Sequence, residues 1–170
     1  SYNQNYELVL EWILKGVDYQ NEKPADITRV SRIISHADYL NSLPSNLALQ
    51  TKIELLNVIG NHQLMNGGNH KLALECFEKV HKSKKKQYGD GKLQTEPSLL
   101  SLGTAWGCLG DYQKQKDYLT EALSINRIYS DDYDLKTSKI LEGLGNAWGQ
   151  LGNYKEAVSA LTQALKIKQK

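Results

Sequence analysis

The sequence has few of the residues that build covalent or metal-linked frameworks. Of its 170 residues only two are cysteines, Cys76 and Cys108, and they lie too far apart to form a CxxC pair. This excludes a disulfide framework and a zinc-knuckle pattern, and it favours a reducing, cytoplasmic location. The four histidines are scattered and form neither His-x-x-x-His nor His-Glu-x-x-His. We therefore expect no metal site and no cofactor.

Long apolar runs and an excess charge of one sign are also missing. No apolar stretch approaches the roughly 20 residues that cross a bilayer, and the amino end lacks the layout of a signal peptide. The 21 basic and 19 acidic residues are interspersed and leave a net charge of only +2. Such a balance gives no strong field toward nucleic acid or anionic lipid. We expect neither as a partner, and the 40% apolar content favours a folded domain.

An internal repeat organises the carboxy-terminal part of the chain. The pattern Leu-Gly-x-Ala-Trp-Gly-x-Leu-Gly-x-Tyr occupies 102–112 and returns at 144–154, an offset of 42 residues. The identities continue at the same offset downstream, where Leu119 and Leu123 return as Leu161 and Leu165. An offset kept over this length indicates one structural unit used repeatedly.

Apolar spacing predicts what each unit builds. Leu141, Leu144 and Trp148 fall at i, i+3 and i+7, which is one face of a helix. After the turn a second helical stripe follows, made of Tyr154, Ala157, Val158, Leu161 and Leu165. Each unit is therefore predicted to be a helix, a tight turn and a second helix. The two repeated tryptophans, Trp106 and Trp148, lie in the first stripe, and we expect them in the core.

The glycines of the repeat have two predicted roles. Gly103 and Gly145 lie inside the first helices, where glycine is unfavourable unless another helix approaches closely. Gly110 and Gly152 follow those helices and are expected to end them. Glycine at these places thus predicts tight packing within each helix pair.

Weaker copies precede the clear repeat. Residues 56–77 match it, but Gly60 lies 85 residues before Gly145, which indicates one inserted residue that we place in the Gly67-Gly68 turn. Two further helical patterns, at 6–16 and 27–43, form a degenerate first pair. We predict an all-α chain of four antiparallel helix pairs. Its expected divisions are a degenerate pair at 1–45 and repeats at 46–92, 93–133 and 134–170.

The motif at 144–157, Leu-Gly-x-x-Trp-x-x-Leu-Gly-x-Tyr-x-x-Ala, resembles the tetratricopeptide repeat. The 42-residue period is longer than the usual one and is similar to repeats of kinesin light chain, Pins-type adaptors and the sensor arrays of bacterial signalling NTPases. The resemblance implies a right-handed superhelix whose first helices line a concave groove for an extended or helical peptide.

Residues opposite the apolar stripe of each first helix are the candidate contacts. In peptide-binding relatives the residue after the first-helix glycine is commonly Asn, which Asn61 and Asn146 match and Thr104 does not. The candidate peptide-binding residues are Asn57, Asn61, Leu100, Thr104, Lys139, Glu142, Asn146 and Gln150. A solvated polar face is the alternative for Asn146, and packing against a neighbouring repeat is the alternative for Leu100.

These patterns predict a protein-binding adaptor or scaffold and no enzyme, because no acid–base or nucleophilic group can be assembled from the motifs. The partner would be a protein or peptide held in the groove. Two alternatives stay open: a sensor region of a larger signalling NTPase, and a scaffold for self-association. The latter would use the last repeat, where Leu161, Leu165 and Ile167 are expected to be exposed.

Overall fold

The computed structural model describes residues 49–129 and 135–169, and within them all regular structure is helical. We number the six helices of these residues α1 to α6. They are α1 (Leu49–His62), α2 (His70–Tyr88), α3 (Glu96–Cys108), α4 (Tyr112–Tyr129), α5 (Leu135–Gln150) and α6 (Tyr154–Lys168), and a π-helical turn, Gln63–Gly67, continues α1. The predicted degenerate pair at 1–45 lies outside the described residues.

The chain divides after Val80, within α2, into two compact units. In the second unit α3 packs on α4, α4 on α5, and α5 on α6. Turns of a few residues join α3 to α4 and α5 to α6, so the members of each pair run antiparallel. The predicted all-α fold of stacked antiparallel helix pairs is confirmed. The four divisions proposed from the sequence stay predictions.

Left-handed glycines end the first helix of each pair, as predicted. Gly110 has φ +81° and Gly152 has φ +80°, values that glycine adopts without strain. The amide of the next residue then bonds back into the helix, Asp111 to the Trp106 carbonyl at 3.0 Å and Asn153 to the Trp148 carbonyl at 2.8 Å. This pattern satisfies carbonyls that would otherwise lack a partner at the helix end.

The glycines inside the first helices lie against large side chains of the second helices. An alanine Cβ at Gly103 would lie 2.7 Å from Cγ of Leu119, and one at Gly145 would lie 2.6 Å from Cγ of Leu161. In the first unit, the same addition at Gly60 would lie 2.6 Å from Cε1 of Phe77. The predicted close helix contact is confirmed.

The inserted residue of the weaker copy is absorbed by the π-helical turn. Gly68, with φ +63°, corresponds to Gly110 and Gly152. It follows its helix-interior glycine, Gly60, by eight residues instead of seven. The extra residue therefore precedes Gly68 and lies in the π-helical turn Gln63–Gly67, which leads directly into the predicted Gly67-Gly68 position. A π-helical turn holds one more residue than an α-helical turn over the same advance.

One apolar cluster joins α3 to α6 in the second unit. Its buried members are Leu99, Leu119, Ala122, Leu123, Ile125, Ile140, Leu141, Leu144, Ala160, Ala164 and Ile167. A buried hydrogen bond of 2.6 Å, from the Thr137 hydroxyl to Oδ1 of Asn126, adds a polar contact between α4 and α5. The two pairs therefore share a core rather than forming separate ones.

Two expectations about burial hold only in part. Trp106 and Trp148 are half-buried rather than fully buried, although Trp148 packs against the shared core. A lysine ammonium lies over each ring, Lys114 at 3.7 Å and Lys116 at 5.0 Å from the ring centre. On the last helix Leu161 and Leu165 are exposed as expected, but Ile167 is buried because it packs into the shared core.

Candidate functional site

The predicted contact residues of α3 and α5 lie on accessible parts of these helices. Thr104, Lys139, Asn146 and Gln150 are exposed, and Glu142 is half-buried. Leu100 is half-buried as well and packs against the shared core, so its side chain contributes to packing. We call the surface formed by Thr104 on α3 and by Lys139, Asn146 and Gln150 on α5 the polar face.

Packing of the helix-interior glycines sets the orientation of this face. Gly103 lies against Leu119, and Gly145 lies against Leu161, so these glycines point toward the second helix of their pair. The next residue is turned by about 100° around the helix axis and faces away from that contact. Thr104 is exposed for this reason, and Asn146 occupies the same position in its repeat.

The first unit has the same local arrangement. Gly60 is buried against Phe77, and the following residue, Asn61, is exposed. Asn57, one helical turn earlier, is half-buried. The glycine and its exposed polar neighbour are therefore a property of each described first helix.

The polar face offers hydrogen-bonding groups of different capacity. The Asn146 amide has both donor and acceptor atoms, so it can pair with both groups of a peptide unit. The Thr104 hydroxyl already donates to the Leu100 carbonyl at 2.9 Å, which leaves its oxygen to accept. Glu142 forms an ion pair with Lys168 near the end of α6, so its carboxylate is directed toward that helix.

The two cysteines differ in accessibility. Cys108 is exposed at the end of α3, on the same side as Thr104. Cys76 is buried, and this burial raises the pKa of its thiol to about 12. Only Cys108 is therefore expected to react with alkylating agents at neutral pH.

The opposite side of α5 contains a groove that the sequence analysis missed. A cavity of about 370 Å³ lies among α4, α5 and α6. Leu141, Leu144 and Trp148 of α5 form its floor, and Arg127, Lys155 and other side chains of α4 and α6 form its walls. The apolar stripe of α5 was predicted to be entirely in the core, so it gave no sign of a groove. A comparison of α4 with α6 was the sequence signal that could have revealed it.

A polar cluster at the start of α3 explains part of the basic segment 81–86. The Ser98 hydroxyl donates to the Thr95 carbonyl at 2.6 Å, so Nδ1 of His81, 2.9 Å away, donates to Ser98. Burial lowers the pKa of Lys84, and the charge of the buried Glu96 partly opposes that shift. These contacts tie the end of α2 to α3, which gives these basic residues a structural role.

Among the helices of residues 49–129 and 135–169, none has both the length and the apolar character of a bilayer span. Within the same ranges, no three His, Cys, Asp or Glu side chains are grouped so that they could hold a metal ion.

Comparison with known proteins agrees with a fold of stacked antiparallel helix pairs. The sequence model of the tetratricopeptide repeat family matches residues 107–170. The solved MamA structure from AMB-1 is similar over 99% of this chain and 92% of its own, with 13% identity and a TM-score of 0.60. MamA from MSR-1 gives a TM-score of 0.56 at 12% identity and covers 99% of this chain and 97% of its own.

A third similar structure is BtubC (BKLC) from P. vanneervenii, with a TM-score of 0.55 and 12% identity. The likeness covers 99% of this chain and 73% of that protein. A search of the curated proteins found no significant match. At such identities the solved structures show the fold alone.

Proposed function

We propose that this chain is a protein-interaction module that binds a peptide on the polar face. The match of residues 107–170 to the tetratricopeptide repeat, a repeat of interaction scaffolds, supports this proposal. The binding elements are α3 and α5. Asn146 and Thr104 are the central contacts, and Lys139 and Gln150 extend the surface along α5. The ligand is an extended or helical segment of a protein partner.

The observation that carries this proposal is the fixed orientation of Thr104 and Asn146. Each follows a glycine whose missing side chain lets a leucine of the second helix approach closely. Because this contact and the packing of neighbouring helices restrict rotation of the first helix, the backbone that carries the exposed side chain is oriented before a ligand arrives. Preorganised polar groups lose less entropy on binding, which increases the affinity they provide.

The test begins with peptides selected from a random library against the purified chain. Their dissociation constants are measured by calorimetry for the parent chain and for a Thr104→Ala, Asn146→Ala double variant. We expect the double variant to bind about tenfold more weakly or worse, a loss of about 1.4 kcal/mol. Equal affinity for the parent and the variant would reject the polar face as the site.

A matched control is available on the second helices. Thr120 is exposed and its hydroxyl donates to the Lys116 carbonyl at 2.8 Å, the same local bond that Thr104 makes. A Thr120→Ala, Thr162→Ala double variant removes two exposed polar side chains outside the polar face. It should bind the selected peptides with unchanged affinity.

The rate at which Cys108 is alkylated can report whether a peptide is bound on the polar face. Because Cys76 is buried with a pKa near 12, iodoacetamide should modify Cys108 selectively. A peptide on the polar face should slow this reaction. Unchanged alkylation at saturating peptide would place the bound peptide elsewhere.

Self-association is a second candidate function, and the exposed apolar side chains of α6 are the observation that favours it. Tyr154, Val158 and Leu165 are apolar and exposed along this helix. Sedimentation velocity over a wide concentration range tests the idea. A dimer that dissociates on Leu165→Glu substitution would support it, whereas a constant monomer mass would exclude it.

A further inference from the structure

The groove behind α5 is separate from the polar face. Leu141, Leu144 and Trp148, which form its floor, are about half a helical turn away from Lys139 and Asn146. Its volume of about 370 Å³ lies within the range of roughly 300–1,000 Å³ that is usual for binding sites. A ligand here would therefore leave the polar face accessible.

Comparison of the two repeats explains why the groove is open. The position of Ala160 in α6 corresponds to that of Tyr118 in α4, and the position of Glu156 corresponds to that of Lys114. Both residues contact the shared core, but Tyr118 adds an aromatic ring there, whereas Ala160 contributes only a methyl group, which also lines the cavity. The last repeat thus lacks an aromatic ring that the preceding repeat supplies from its own chain.

Trp148 lacks the lysine contact that Trp106 has within its own repeat. Lys114 lies over the ring of Trp106, but the residue at the corresponding position near Trp148 is the acidic Glu156. Trp148 instead has Lys116 of the preceding helix at 5.0 Å from its ring centre. Two of the residues that line the groove together with this indole, Ala160 and Ser159, are small.

Charge on the rim indicates the character of the ligand. Arg127 and Lys155 line the cavity, and Glu156 is the acidic residue among the lining side chains. Lys116, over the Trp148 ring, is paired with Asp117 at 3.6 Å, so the basic groups of the lining itself are Arg127 and Lys155. Carboxylates are the natural counterions of such a rim, and arginine binds them with two parallel hydrogen bonds. An aromatic ring inserted beside an indole provides both apolar burial and favourable ring contacts.

We propose that this groove is a second docking site, which takes an aromatic side chain of an acidic partner segment into the space beside Ala160. The ring occupies the place that corresponds to Tyr118 in the preceding repeat, against Trp148. Neighbouring carboxylates of the partner segment bind Arg127 and Lys155. Binding energy at protein interfaces is often concentrated in one buried aromatic residue of this kind.

Three fluorescein-labelled peptides test the ligand chemistry by fluorescence anisotropy. The first has a central tyrosine flanked by aspartate and glutamate, the second has alanine at the centre, and the third has lysine in place of every acid. We expect binding by the first peptide, and at least about tenfold weaker binding by the other two. No binding by the first peptide, or equal binding by all three, would overturn the proposal.

A substitution taken from the other repeat tests the location. Ala160→Tyr places in α6 the residue that α4 has at this position, so the fold is expected to accept it. The added ring should close the groove and abolish binding of the tyrosine peptide. Thr162→Tyr adds the same ring at an exposed position of α6 outside the groove, and it should bind like the parent. Equal binding by Ala160→Tyr and Thr162→Tyr would reject the site.

A charge variant keeps the proposal testable if Ala160→Tyr does not fold. Arg127→Glu with Lys155→Glu should weaken binding about tenfold or more, whereas Lys86→Glu with Lys166→Glu should not change it. If both double variants lose the same amount of peptide affinity, the loss is caused by the change in net charge, and the proposal is overturned. A parent chain that dimerises in sedimentation velocity, and an Ala160→Tyr variant that does not, would identify a second copy as the occupant, which also overturns it.

The Thr104→Ala, Asn146→Ala variant separates this site from the polar face. It should bind the tyrosine peptide with unchanged affinity, because neither residue lines the groove. A loss of binding in that variant would place the peptide on the polar face and reject the groove as a second site.

Discussion

Helices α4 and α6 carry the same leucines in two different environments. Leu119 of α4 is 1% exposed and Leu123 is 8% exposed, whereas the corresponding Leu161 and Leu165 of α6 are 46% and 55% exposed. The difference arises because α5 packs on α4, and a Cβ at Gly143 of α5 would lie only 2.5 Å from Cδ1 of Leu119. Burial of a second helix in this fold is thus supplied by the first helix of the next pair.

The largest expected effect comes from truncating these paired leucines. Leu119→Ala should lower the free energy of unfolding by about 3–4 kcal/mol, because a fully buried side chain leaves a cavity between helices. Leu161→Ala should cost about 1 kcal/mol, since half of its side chain is already in water. Urea unfolding followed by circular dichroism measures both. Similar losses would show that α6 is covered in solution.

Alanine substitutions of the helix-interior glycines should also distinguish the environment of Leu119 from that of Leu161. Gly103→Ala and Gly145→Ala would bring a Cβ equally close to a leucine, at 2.7 and 2.6 Å. Leu119 is enclosed and cannot move, so Gly103→Ala should destabilise by about 2–3 kcal/mol. Leu161 is half-exposed and can rotate aside, so Gly145→Ala should cost no more than about 1 kcal/mol.

Thermal unfolding of the two alanine variants provides the measurement. The melting temperature of Gly103→Ala should be the lower of the two. The reverse order would mean that the freedom of Leu161 does not relieve the contact.

A smaller effect is expected at the polar contact between the pairs. Thr137→Val removes the donor of the buried hydrogen bond to Asn126 and leaves its carbonyl oxygen unsatisfied, which should cost about 1–2 kcal/mol. The counterpart of Asn126 in α6 is Lys168, which is exposed. Thr162→Val, on the exposed side of α6, is the control and should change stability by less than about 0.5 kcal/mol. If Thr137→Val lowers stability no more than Thr162→Val does, the hydrogen bond to Asn126 does not stabilise the fold.

Much of the repeat architecture could be predicted from residue identities. A glycine within an otherwise helical pattern implies a close neighbour, and Gly103 and Gly145 proved to have one in Leu119 and Leu161. Gly110 and Gly152 ended their helices because a left-handed backbone is favourable for glycine. These predictions succeeded because each depends on local backbone geometry and on contacts inside one helix pair.

Features that depend on neighbouring helices were harder to predict. The π-helical turn Gln63–Gly67 and the half-exposed Trp148 share their sequence patterns with ordinary turns and core stripes. The groove arises from the absence of a ring at Ala160, and a small residue at one position does not show which neighbours surround it. The polar face was predicted by its repeat position, and its contact residues stay predictions until a ligand is measured.

The smallest expected effect has the opposite sign in the two repeats. A Cβ at Gly149 would make an ordinary contact with Cβ of Ala157, at 3.9 Å, so Gly149→Ala should stabilise the chain by about 0.5–1 kcal/mol through helix propensity. At the corresponding Gly107 the added Cβ would lie 2.6 Å from Cδ of Gln115, which is buried. Gly107→Ala should therefore destabilise, because the Gln115 side chain must shift.

Urea unfolding of the two variants beside the parent measures this pair. The sign is determined by one difference between the repeats, Gln115 in α4 against Ala157 in α6. Gly107→Ala in a Gln115→Ala background should lose most of its cost, because the Cβ then meets the same small neighbour as at Gly149. If Gly107→Ala remains costly in that background, the clash with Gln115 is not its cause, and the backbone packing of α3 on α4 must differ from that of α5 on α6.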